Sequence, residues 1–132
     1  MSDITYGMKG RVSLPVEEAE AKVREALAAE GFGILTEIDV AATLKTKLDL
    51  DVPPYKILGA CNPSLASQAL ELEQDIGLLL PCNVVVYQDG DGSVIGILDP
   101  GIMVDLTNNS AVKPVADQAN EALKRALQAV TG

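Results

Sequence analysis

The run Asp89-Gly90-Asp91-Gly92-Ser93 stands between two apolar, β-branched segments, Val84–Tyr87 and Val94–Leu98. Asp and Gly tolerate the positive φ angles of a tight reversal, so this pattern joins two strands as antiparallel neighbours. A chain built around such a hairpin cannot form an all-parallel sheet, and the question becomes what else pairs with the hairpin and what covers it. A calcium-loop reading of the same residues fails on chemistry. In the only register that fits, Tyr87 stands at the first ligand position and Leu98 at the bidentate acidic one, so two oxygen donors are missing.

The covering layer is legible upstream and downstream. From Pro15 to Glu30 the apolar residues Val16, Ala19, Val23, Ala26 and Leu27 recur at three- and four-residue steps, one stripe of a helix. Ser13 or Leu14 would cap it with Pro15 in the first turn, Glu17 and Glu18 complement the positive end of the dipole, and Gly31 stands where a C-terminal cap is expected. A second stripe, Val115, Ala119, Ala122, Leu123, Ala126 and Leu127, predicts a helix over 114–130.

Between them, residues 4–12 read as a strand broken by Gly7 and Gly10. Residues 32–40 read as a strand with Phe32, Ile34, Thr36 and Ile38 on one side. A short helix over 41–50 ends at Asp51-Val52-Pro53-Pro54, and Tyr55–Cys61 reads as a strand. Asn62 and Pro63 then open a helix, as N-cap and first helical residue, which Gly77 closes. Pro81 sets the start of the Leu78–Tyr87 run at an edge or a bend, and Asp99-Pro100-Gly101 reads as a turn. The order is β-α-β-(α)-β-α-β-β-α, an α+β pattern with a mostly antiparallel sheet backed by helices. At 132 residues we expect one domain, 1–132, burying about two-thirds of its unfolded surface.

Composition narrows function mainly by exclusion. The chain has no His and no Trp, and its 19 acids against 10 bases leave a net charge of −9. Without His there is no Ser-His-Asp or Cys-His unit and no imidazole metal ligand. No catalytic residue is assigned, no cofactor is expected, and whether the chain is an enzyme is left open. The acidic balance and the absence of a basic run argue against nucleic acid as a partner. Apolar runs such as Leu78-Leu79-Leu80 fall far short of the ~20 residues a membrane span needs, so no membrane is expected. The N-terminus lacks a secretory pattern, which makes the cytoplasm the expected location.

Two groups of residues are candidates for chemistry. Cys61 and Cys82 each lie beside a Pro at a predicted strand end, in Cys61-Asn62-Pro63 and Pro81-Cys82-Asn83. Were those strands neighbours, the thiols would form a reducible pair or a two-ligand site for a soft metal, with the helix start at Asn62 lowering the Cys61 pKa. The competing reading is that both pack as small hydrophobes, since a separation of about 20 residues is no Cys-x-x-Cys spacing. The second group is Lys45, Lys47 and Lys56 with Tyr55 beside them, either a small-anion site built on Lys47, Tyr55 and Lys56 or a solvated surface offsetting Asp39, Asp49 and Asp51.

The segments Gly31-Phe32-Gly33 with Ile38-Asp39, Pro54–Pro63 (PYKILGACNP) and Leu79–Tyr87 (LLPCNVVVY) resemble the family called Domain of Unknown Function 302, in the subset carrying both the Cys-Asn-Pro and Leu-Pro-Cys pieces. The resemblance implies a curved antiparallel sheet backed by helices, similar to the TATA-binding-protein-like class, assembled as a homodimer. It implies no activity and no catalytic residue. The functional expectation is a small domain that binds a small-molecule ligand or a partner, with thiol-dependent redox or soft-metal handling as the alternative.

Overall fold

A computed structural model describes residues 4–132. Five strands, β1 (Gly7–Val12), β2 (Gly33–Asp39), β3 (Tyr55–Cys61), β4 (Cys82–Asp89) and β5 (Gly92–Leu98), form one sheet in the order β1-β5-β4-β3-β2. Every pairing in it is antiparallel. The β4–β5 hairpin is therefore its centre. Asp89 pairs with Gly92, leaving Gly90-Asp91 as a two-residue loop with Gly90 at φ 60°. Arg11 of β1 fastens this loop, its guanidinium 2.9 Å from Asp89 and 3.0 Å from Asp91.

The helices are α1 (Val16–Ala29), α2 (Val40–Leu48), α3 (Pro63–Leu72), α4 (Gly101–Thr107) and α5 (Lys113–Thr131). Strand alternation sends Leu58, Ala60, Val84, Val86, Ile95 and Ile97 to one face, where they meet Val16, Ala19, Val23 and Leu27 of α1 and Ala119, Ala122, Leu123 and Ala126 of α5. A smaller apolar cluster, Ala69, Ile76, Cys82, Met103, Val112 and Val115, lies where α3, α4 and the start of α5 meet the start of β4.

Four expectations are corrected. Pro15 is itself the N-cap of α1, with no side-chain bond there; its carbonyl accepts from Ala19. Helix α3 stops at Leu72 rather than at Gly77, because Glu73 turns extended and Asn109 donates to the Leu72 carbonyl and the Glu73 carboxylate. Gly77 instead lies in a 3₁₀ turn, Gln74–Leu79, followed by a cis Leu80-Pro81 bond. The Asp99-Pro100-Gly101 turn runs on into α4: Asp99 Oδ1 accepts from Gly101 N at 2.8 Å, and Asn108 ends the helix in the left-handed region at φ 51°. Finally, β2 carries a bulge between Ile34 and Thr36. Ile34, opposite Ala60, faces the helices; Thr36 and Ile38, opposite Gly59 and Ile57, share the other face, so the 32–38 alternation does not hold.

Candidate functional site

The register defines the second face of the sheet row by row. Arg11, Val94, Tyr87 and Tyr55 stand side by side across β1, β5, β4 and β3. Lys9, Gly96, Val85 and Ile57 form the next row, and Gly7, Leu98, Asn83 and Gly59 the one after. None of these side chains belongs to the core clusters under the helices. Two of these glycines, Gly59 and Gly96, lie in strand interiors, where glycine is costly unless something approaches the backbone. At Gly59 the approach is internal, since a Cβ there would collide with Thr36 and Pro81.

Over Gly7 and Gly96 the face forms a hollow of about 280 Å³, lined also by Tyr6, Lys9, Tyr55, Asn83, Val85 and Tyr87. The Tyr55 and Tyr87 rings stack with centroids 5.3 Å apart and planes 7° from parallel. Burial, and then the neighbouring Tyr87 and Tyr6 hydroxyls, push the Tyr55 phenol above its ordinary value. It remains a neutral hydrogen-bond donor at physiological pH. Lys9 has no ion-pair partner among the described residues.

The register brings the cysteines close. Cys82 pairs with Ala60, and Cys61, one residue on, pairs with Gly33 of β2. Both are free thiols. Burial pushes the Cys82 thiol up to about 11, with a smaller contribution from Cys61, which opposes the thiolate that redox exchange or metal binding requires. Both line an apolar void of about 30 Å³ between α3, α5 and the ends of β3 and β4, room for a water and not for a ligand. Among the described residues no group of three Cys, Asp or Glu side chains could hold a metal ion. Asn62, as expected, caps α3, its Oδ1 accepting from Leu65 N at 3.2 Å.

Lys47, Tyr55 and Lys56 do not converge. Tyr55 faces the hollow, whereas Lys56 points to the opposite face, 2.6 Å from Glu37 and 3.5 Å from Glu20. Glu37 holds the Lys56 ammonium above its usual value, and Lys56 in turn lowers Glu37. Lys45 is taken by Asp49 and Asp51, and Lys47 lies exposed on α2 beside Glu37 and Asp39. Sequence reasoning missed Tyr6, Lys9 and Asn83, which only the sheet order brings together. The available signal was Gly96 inside an otherwise apolar strand.

Among solved structures, the chain is similar to an uncharacterized conserved DUF302 protein from Bacillus stearothermophilus, at TM-score 0.88 and 32% identity, covering 96% of this chain and 98% of that one. Among curated proteins it is similar to fluoride-specific ion channel FluC 1 of Brucella suis and FluC 1 of Brucella abortus, each 24% identical over 93% of this chain. The match takes in 49% and 46% of those proteins, so the chain spans about half their length. No helix among the described residues is long and apolar enough to cross a membrane. The model of the domain of unknown function DUF302 matches residues 8–130, and the chain belongs to that family.

Proposed function

We propose that the chain is a non-catalytic binding domain that works as a homodimer and holds a small ligand on the sheet face away from the helices. The observation that carries this is the 280 Å³ hollow, which combines apolar walls with a few convergent polar groups, the usual constitution of a ligand site. The absence of His, the raised Cys82 thiol and the paired state of Lys45 and Lys56 argue against catalysis by an imidazole, by that thiol or by those ammonium groups.

Homodimer formation is supported at the other side of the sheet. Strand β2 is an edge, and Leu35 (66% exposed), Ile38 (47%), Leu48 (68%) and Leu50 (47%) lie on it and on and just beyond α2. An edge strand with apolar neighbours is a natural surface for two-fold pairing with a second copy. What the Brucella relatives share with this chain is about half of each channel protein, and its counterpart here is a sheet-and-helix unit.

Native mass spectrometry tests the dimer. The wild-type chain is expected as a dimer, and Ile38→Glu, which places a charge at the edge, as a monomer with its fold retained. A monomer for the wild type at micromolar concentration would refute the dimer.

A further inference from the structure

Resting on the reading of the chain as a binding domain, we infer that the hollow over Gly96 takes a small planar aromatic anion, an aryl carboxylate being the simplest of that class. All three tyrosines of the chain, Tyr6, Tyr55 and Tyr87, line this one hollow, while the single Phe lies in the core. Three of the four aromatic side chains therefore surround one space, on a face the helices do not cover. Their aromatic surfaces, with Tyr55 and Tyr87 stacked on each other, border the space a flat ligand would enter.

Charge fixes the rest of the class. Among the described residues no acid lines the hollow, and the charged residue that does is Lys9. Lys9 sits in the row of Gly96 and Val85, with its stem over Gly96: a Cβ on that glycine would lie 3.8 Å from Lys9 Cγ and 3.0 Å from Val85 Cγ2. Its ammonium has no carboxylate partner among the described residues, unlike those of Lys45, Lys56 and Lys113. Asn83, exposed on β4, adds an amide donor, and the neutral Tyr55 phenol adds a hydroxyl donor. A cation and neutral donors beside stacked rings match a carboxylate or phenolate joined to an aromatic ring. The volume, at the lower end of ligand sites, confines the ligand to one or two rings.

The test is a titration of the ¹⁵N-labelled full chain with benzoate, its neutral analogue benzamide, and inorganic phosphate, followed by amide chemical shifts. Benzoate is expected to shift the amides of Lys9, Asn83, Tyr87 and Gly96 along one saturable curve, with benzamide and phosphate each several-fold weaker. Lys9→Gln should weaken benzoate about fivefold and leave benzamide unchanged, the loss expected for one partly exposed ion pair. Tyr87→Leu should weaken both. Dispersed spectra of the variants establish that they fold. Equal affinity for benzamide, or no effect of Lys9→Gln, overturns the anion assignment while leaving a binding domain in place. Equal affinity for phosphate overturns the aromatic part. If neither aromatic probe shifts these amides, the assignment fails, and the dimer measured separately decides whether the wider reading survives.

Discussion

Ile57 and Leu58 are sequence neighbours on β3, yet register places Leu58 under the helices and Ile57 on the uncovered face. Leu58 is fully buried in the main core cluster. Truncating it to Ala leaves a void that α1 and the flanking strands cannot close, at a cost of about 3 kcal/mol. For a domain of this length that corresponds to a Tm lowered by roughly 10 °C. Ile57→Thr keeps the β-branched shape that suits a strand and removes apolar surface that is only half-buried, so its cost is about 1 kcal/mol. Urea unfolding followed by circular dichroism, with both variants at two protein concentrations, measures the contrast. If Ile57→Thr costs as much as Leu58→Ala, or if its cost rises with protein concentration, the face is buried against another layer and the two-sided reading of the sheet is refuted.

Asn62→Ala removes the α3 cap and should destabilise by about 1 kcal/mol in the same assay, with no change in ligand binding. The raised Cys82 thiol keeps its proton in the folded chain after the unfolded chain has lost it. Stability from this group is complete below about pH 9, the ordinary thiol value, and falls as pH rises toward about 11, by roughly 2–3 kcal/mol. A Cys82→Ala variant should show a shallower alkaline decline, and an unchanged slope would contradict the burial argument. On the acid side the lowered Glu37 carboxyl contributes stability above its ordinary value that is lost as pH falls through its folded one. Lys56→Met should therefore flatten the acid limb of the unfolding curve.

Local chemistry made much of the fold readable. The Asp89–Ser93 reversal, the α1 stripe and the Asn62-Pro63 start each depend on a few adjacent residues, and each stands where the sequence puts it. Helix α4 escaped because Asp99-Pro100-Gly101 is a turn by every local sign, and its continuation depends on Met103 packing into the cluster with Ile76 and Val112. The bulge at Leu35 escaped for a similar reason, being set by pairing with β3. The site was less readable. Tyr55 and Lys56 were grouped by proximity along the chain, although strand alternation already separates them onto opposite faces. Lys9 and Asn83 lie more than seventy residues apart and meet only because β5 lies between β1 and β4.

The ring signals of the three tyrosines report on the uncovered face alone, since all three line the hollow. A chain labelled with ¹³C-ring tyrosine and titrated with benzoate tests most directly whether that face is a ligand site. All three ring signals are expected to move together on a single saturable isotherm, and a Lys9→Gln chain should require about fivefold more benzoate to reach the same shift. Ring signals that stay still, or that drift without saturating in the wild type and the variant alike, would contradict it.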